Sequence, residues 1–171
     1  VLGDQLNCNH SWFKTVDDSI TYVMMEVRTE TVYAKHHIQK VVGFFTAMRS
    51  FAAELQSKKH KVIYIHLNDE NNLQSFEKNL DVLLSQENFT QFEYQLPDEY
   101  RLDILFKNYC AQLKIPNSVN DTEHFFSTRE ELGNFFEGKK MFLMESFYRA
   151  MRKKHNVLMD GDKPKTGQWN Y

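Results

Sequence analysis

Ile20-Thr21-Tyr22-Val23-Met24-Met25-Glu26-Val27, then Ile38-Gln39-Lys40-Val41-Val42-Gly43-Phe44-Phe45-Thr46-Ala47-Met48-Arg49-Ser50-Phe51-Ala52-Ala53-Glu54-Leu55, then Val62-Ile63-Tyr64-Ile65-His66-Leu67 is the stretch on which the fold turns. Its two outer segments are short and nearly continuous in apolar residues, as parallel strands covered on both faces are. Between them, Ile38, Val41, Val42, Phe45, Met48, Ala52 and Leu55 recur at helical spacing. Gln39, Lys40, Arg49 and Glu54 occupy the rest of the cylinder, so the middle segment is one long amphipathic helix. Strand, helix, strand in this order is a βαβ unit.

The same alternation continues on both sides. Upstream, Val1-Leu2-Gly3-Asp4 reads as the last residues of a buried strand entering a loop, with the rest of that strand missing. Downstream, residues 92–96 and, more weakly, 118–120 have strand character. One helix carries Leu73, Phe76, Leu80 and Leu83, and another carries Leu102, Leu105, Tyr109 and Leu113 before Pro116 ends it. Ser127-Thr128-Arg129-Glu130-Glu131 supplies a cap with acidic first-turn residues, and Met141, Met144, Tyr148 and Met151 form a late apolar stripe. The expected fold is α/β, a doubly wound, mostly parallel Rossmann-like or flavodoxin-like sheet over residues 1–160 with its first strand truncated. Turn-rich residues 161–171 are expected to begin a linker.

Composition narrows the function classes. A chain of 171 residues, 42% hydrophobic and 26% charged, is long enough to bury roughly 70% of its unfolded surface around one core. The formal net charge of -2 gives no overall positive field for a phosphate backbone. Cys8 and Cys110 lie far apart and form no CxxC pair, which fits a reducing, cytoplasmic compartment. No apolar run approaches the roughly 20 residues of a membrane span. Neither GxGxxG nor GxxxxGK[ST] is present, and Gly138-Lys139-Lys140 does not substitute for the latter. His36-His37 lacks the i, i+4 spacing of helical metal ligands, no GxSxG elbow occurs, and neither cysteine has a cationic neighbour in sequence. The chain has no catalytic constellation of its own.

Open parallel sheets bind ligands beyond the carboxyl ends of their strands, so the loops there hold the candidate site residues. Gly3, Asp4 and Gln5 follow the first strand: a glycine for close approach, an acid and an amide to bond a polar heterocycle or a ribityl chain. Glu26 and Glu30 follow the second, near Arg28, Tyr33, His36 and His37. Phe44 and Phe51 sit on the shoulder of the long helix, where they line a pocket or belong to the core. Near the end, Arg149, Arg152, Lys153, Lys154 and His155 follow Phe147 and Tyr148. That cluster either helps a neighbouring module hold DNA or complements the dipole of a helix C-terminus.

Val1-Leu2-Gly3-Asp4-Gln5-Leu6, Glu26-Val27, Tyr33-Ala34-Lys35-His36-His37, Phe45-Thr46-Ala47-Met48-Arg49-Ser50-Phe51, Met144-Glu145-Ser146-Phe147-Tyr148-Arg149-Ala150-Met151-Arg152 and Gly167-Gln168-Trp169-Asn170-Tyr171 together resemble the amino-terminal domain of deoxyribodipyrimidine photolyase-related proteins, the iron-sulfur bacterial cryptochrome and (6-4) photolyase family. The resemblance runs over essentially the whole chain and is thinnest over residues 86–125. It implies an antenna domain that holds a ribityl lumazine through Gly3, Asp4, Gln5, Glu26, Glu30, Phe44 and Met48. It further implies a following helical domain of the same chain with FAD and a 4Fe-4S cluster, and damaged DNA as partner of the intact protein. Photoexcited reduced flavin in that domain would repair a flipped-out pyrimidine photoproduct, a lyase reaction. Phe44 stands where the resemblance implies a smaller aliphatic side chain, and its extra volume would fill the pocket. Two other readings stay open: a cryptochrome-like blue-light sensor and a stand-alone flavodoxin-like binding module.

Overall fold

Thr21–Met25 (β1) and Lys61–Ile65 (β2) pair in parallel, in register from Thr21 opposite Lys61 to Met25 opposite Ile65. The crossover between them is Ile38–Ser57 (α2), after a four-residue turn of helix at Thr29–Val32 (α1). The helix buries Phe45, Met48, Phe51, Ala52 and Leu55. Its first turns differ from the sequence pattern, because Ile38 and Val42 are exposed and only the later part of the apolar stripe meets the sheet. Phe51 belongs to the core, whereas Phe44 remains 40% exposed on the shoulder.

The computed structural model describes residues 1–86 and 88–169. Its second parallel pair is Phe92–Gln95 (β3) with Asn117–Asn120 (β4). Phe76–Gln86 (α3) leads into β3, and Tyr100–Gln112 (α4) connects β3 to β4. Leu73 lies in the turn before α3, where its N–H donates to Asn79 Oδ1 at 2.8 Å, and Leu113 caps the end of α4. Val1-Leu2 is not a strand in the described chain. Its α-amino group donates to Val23 O at 2.9 Å, and Leu2 packs among Met25, Val27, Phe76, Leu80, Leu102 and Phe106. A second apolar cluster holds Phe13, Tyr22, Met24, Phe45, Met48, Phe51, Ala52 and Leu55. Apolar residues thus cover both faces of β1, which is why its sequence shows no polar alternation.

The chain divides into two compact units, Val1–Thr122 and Glu123–Tyr171. In the second unit Thr128 caps Arg129–Phe136 (α5), its hydroxyl accepting from Glu131 N–H at 3.1 Å. Met144–His155 (α6) buries Phe147 and Arg152. Met141, Met144 and Tyr148 are exposed, so the expected late stripe faces outward. The segment expected to be linker begins as a small antiparallel hairpin, Met159–Asp160 (β5) with Lys163–Pro164 (β6). Its last two residues, Asn170 and Tyr171, lie outside the described residues. No helix among the described residues is long and apolar enough to cross a membrane.

Candidate functional site

A cleft of about 210 Å³ opens beyond the carboxyl end of β1, lined among others by Gly3, Asp4, Glu30, Tyr33, Phe44 and Met48. Five of the seven residues singled out from the sequence therefore meet in one place, drawn from the first loop, α1 and α2. Met25 and Val27 contribute apolar walls from the sheet side.

A side chain at Gly3 would have to displace the Phe44 ring and the Met48 thioether. A Cβ at that position would lie 2.3 Å from Phe44 Cε1 and 2.8 Å from Met48 Sδ, closer than carbon atoms approach. The Phe44 ring therefore rests on the glycine backbone and occupies the close-approach space that the loop provides.

Glu30 is held from outside the cleft. Arg101 grips it with Nη1 at 3.0 Å and Nη2 at 2.7 Å, and bonds Glu99 through Nε at 2.9 Å. The same guanidinium lies 4.4 Å from the centroid of the Tyr33 ring. Hydrogen bonding to Glu30, then to Glu99, together with their charges, outweighs desolvation and holds Arg101 firmly protonated. Arg101 was not visible as a site residue in the sequence. One signal existed: a cation in the first turn of a helix opposes the macrodipole and calls for an acidic partner.

Gln5 and Glu26 do not line the cleft. Gln5 is buried, accepting from Leu2 N–H at 2.9 Å and donating to the Gln95 and Leu96 carbonyls at 3.1 and 3.4 Å. Glu26, fully buried, accepts from Arg49 Nε at 2.6 Å and Nη2 at 2.8 Å, Tyr64 Oη at 2.7 Å and Leu67 N–H at 2.9 Å. Burial pushes its carboxyl up, but these hydrogen bonds and the Arg49 charge outweigh burial and hold it below the usual carboxylate range. Tyr64 is correspondingly pushed up, by burial first and by Glu26 second. The group is a clasp joining β1, α2 and the end of β2. His37 caps α2, its Nδ1 accepting from Gln39 N–H at 3.2 Å, and Lys40 Nζ lies 3.2 Å from His36 Nδ1 at the cleft rim.

In the second unit the basic cluster separates by role. Arg152 is buried and donates to the carbonyls of Val157, Leu158 and Trp169 at 3.1, 2.7 and 3.4 Å. Arg149 pairs with Glu145, and Lys154 with Glu131. Lys153 Nζ lies 5.8 Å from the Trp169 ring centroid, on the exposed side of α6. Gly133-Asn134-Phe135-Phe136-Glu137-Gly138-Lys139-Lys140 approaches the spacing of a phosphate loop, yet Gly133 lies inside α5 and no strand leads into it. Among the described residues no three His, Cys, Asp or Glu side chains converge as metal ligands would.

The deoxyribodipyrimidine photo-lyase-related protein family matches this chain over residues 1–171. A (6-4) photolyase of Agrobacterium fabrum (strain C58) is 32% identical over 172 residues, covering 100% of this chain and 34% of that protein. Dynamin-like protein 2 of Campylobacter jejuni subsp. jejuni is 28% identical over 162 residues, covering 86% of this chain and 25% of that protein. The chain thus spans about a third of the length of the first relative and a quarter of the second. With its family matched from the first residue to the last, the chain belongs to the deoxyribodipyrimidine photo-lyase-related proteins.

Proposed function

We propose that this chain is the α/β accessory domain of a light-driven, photolyase-like DNA-repair protein, built on the plan of an antenna-chromophore domain. The carrying observation is the cleft beyond β1, where Gly3, Asp4, Glu30, Phe44 and Met48 converge at the position an open α/β sheet reserves for ligands. The family match supports this reading, as does the (6-4) photolyase of which the chain spans 34%. Electron transfer to a pyrimidine photoproduct is assigned to the remaining two thirds of such a protein, a helical domain carrying FAD and an iron-sulfur cluster. A four-cysteine cluster cannot come from this chain, which contains only Cys8 and Cys110.

A ribityl lumazine, the ligand that the family resemblance implies for the cleft, would meet the Asp4 and Glu30 side chains as polar partners and Met48 and Val27 as apolar walls. With Phe44 lying on Gly3 the residues do not accommodate it. The cleft of about 210 Å³ falls below the roughly 300–1,000 Å³ typical of sites for ligands of that class. Phe44 is the group that closes the site.

The test is the absorption spectrum of the full-length protein, followed by blue-light illumination with an oligonucleotide carrying a (6-4) product or a cyclobutane dimer. Flavin bands and light-dependent restoration of the pyrimidines are expected. Flavin bands without restoration would move the protein to the light-sensor class. A spectrum with aromatic absorption alone would sink the photolyase reading.

A further inference from the structure

Between Val27, fully buried, and Phe45 no residue is buried, yet this stretch supplies Glu30, Thr31, Tyr33, His36, Lys40 and Phe44 to the wall of the cleft. Residues 28–37 are the part of it that precedes α2. The backbone bonds of α1 are local: Glu30 N–H donates to Val27 O at 3.2 Å and Thr31 N–H to Arg28 O at 2.9 Å. A single turn of helix does not persist in water on such bonds alone, so contacts from outside must hold it against the cleft.

Among the described residues, two side chains reach residues 28–37 from distant parts of the chain. Gln74 Oε1 accepts from Arg28 N–H at 3.0 Å, at the root beside Val27. Arg101 takes the middle, with Nη1 and Nη2 on the two oxygens of Glu30 and the guanidinium 4.4 Å from the Tyr33 ring centroid. One cation thus positions two residues of the cleft wall. Arg101 is also the fixed half of the contact. It stands in the first turn of α4, which Leu102, Phe106 and Tyr109 anchor in the core. Glu99 accepts from its Nε at 2.9 Å and its Nη2 at 3.1 Å, so the guanidinium keeps an acceptor and its orientation when Glu30 leaves. The Glu30 carboxylate has no second donor among the described residues.

We propose that residues 28–37 form a strap over the cleft, that Arg101 is its latch, and that the strap opens while the sheet beneath stays folded. Its two ends are fixed: Val27 is fully buried, and the His37 imidazole caps α2 by accepting from Gln39 N–H. Between them, opening breaks the Glu30 pair and the Tyr33 stack and exchanges little buried surface. It uncovers the sheet side of the cleft at Met25 and Val27. Access is then set by one partly solvated ion pair, with Arg101 35% and Glu30 17% exposed, and so by ionic strength. This inference does not depend on what the cleft binds.

Native-state amide hydrogen exchange on the full-length protein, in a series of low urea concentrations, tests it. The Glu30 and Thr31 amides are expected to exchange at least about 10-fold more slowly than in an unstructured peptide, at a rate insensitive to urea, as local opening is. The Glu26 amide, bonded to Ile65 O in the sheet, is expected to respond to urea steeply. Arg101→Gln is expected to speed Glu30 and Thr31 about 5-fold by the same urea-independent route, and about 1 M sodium chloride to do most of this in the native protein. Glu30→Gln should match that change, and the double substitution should add little to either single one. Strap amides that are unprotected, or that follow urea in parallel with Glu26, would overturn the proposal, since the strap would then be open throughout or open only with the sheet. Unchanged exchange in Arg101→Gln and in high salt would remove Arg101 as the latch.

Discussion

Glu26→Gln separates a structural carboxylate from a ligand-binding one, because the side chain keeps its shape and loses its charge. Four donors converge on the native carboxylate, two on each oxygen: Arg49 Nε and Tyr64 Oη on Oε1, Arg49 Nη2 and Leu67 N–H on Oε2. The least damaging placement of the substituted amide puts its nitrogen at Oε1, where the Tyr64 hydroxyl can turn and accept. Arg49 Nε then loses its acceptor, but the Arg49 side chain is 51% exposed and water can replace it. Three contacts survive: those with Tyr64 and Leu67 N–H lose their charge assistance, and the Arg49 Nη2 bond keeps only the cation's share of it. Bonds to charged groups contribute about 1.5–3 kcal/mol and neutral ones about 0.5–1.5, so the loss is about 3 kcal/mol at pH 7.

The acid limb gives a second reading of the same variant. Glu26 titrates below its ordinary 4.5 in the folded chain, so its stabilisation is complete above about pH 4.5 and is lost as pH falls through the folded value. The gap between native protein and Glu26→Gln should therefore narrow below that pH. Urea unfolding followed by circular dichroism at pH 7 and at successively lower pH measures both quantities. A loss under about 1 kcal/mol at pH 7, or a gap that does not change with acid, would refute the clasp and return Glu26 to the ligand-binding candidates.

Phe44→Ile should raise affinity for a ribityl lumazine at least about 10-fold in a fluorescence titration of the full-length protein, since the ring leaves the space above Gly3; unchanged binding would reject Phe44 as the plug. Gly3→Ala should cost about 1–3 kcal/mol in thermal unfolding, and much less when Phe44 is also replaced by Ala, because the added methyl meets the Phe44 ring at 2.3 Å. Arg101→Gln should cost about 1 kcal/mol, less in high salt, since the pair with Glu30 is partly solvated with side-chain exposures of 35% and 17%. Arg152→Gln should cost about 2 kcal/mol and speed proteolysis after Val157, because the buried guanidinium holds three carbonyls. Lys153→Gln should leave stability unchanged; a DNA salt dependence that flattens by about one counterion would assign Lys153 to phosphate, and an identical slope would remove it.

The βαβ unit was legible because apolar period carries it: residues 38–55 repeat at helical spacing, and the strands on either side lack polar alternation since both faces are covered. What the pattern could not supply was the destination of polar side chains. Gln5 and Glu26 look like ligand groups in one dimension, at the ends of strand candidates, yet their partners are 90 and 23 residues away in Gln95 and Arg49. Arg101 escaped for the same reason, being 71 residues from Glu30. The outward stripe of Met141, Met144 and Tyr148 shows the converse limit, since apolar spacing alone does not say whether an apolar face has something to cover it. Arg152 and Lys153 are adjacent in the chain and opposite in environment, one buried and bonded to the carbonyls of Val157, Leu158 and Trp169, the other on the solvent side.

The distribution of these polar contacts decides which wall of the cleft can yield. On the sheet side, Glu26 ties β1 to α2 and to the end of β2 through a buried carboxylate that would lose its partners if those bonds broke. On the other side stands α1, four residues long, without a side-chain cap hydrogen bond and with no buried residue. Its principal tether from outside its own turn is the partly solvated Arg101 grip on Glu30, stacked against Tyr33. Local opening follows the lowest density of buried contact, so α1 and the half-exposed Phe44 ring are expected to yield before β1 and the Glu26 clasp. Enlarging the site and weakening the fold are therefore separable: substitutions at Phe44 and Arg101 act on the cleft, and substitutions at Glu26 and Arg49 act on the sheet beneath it.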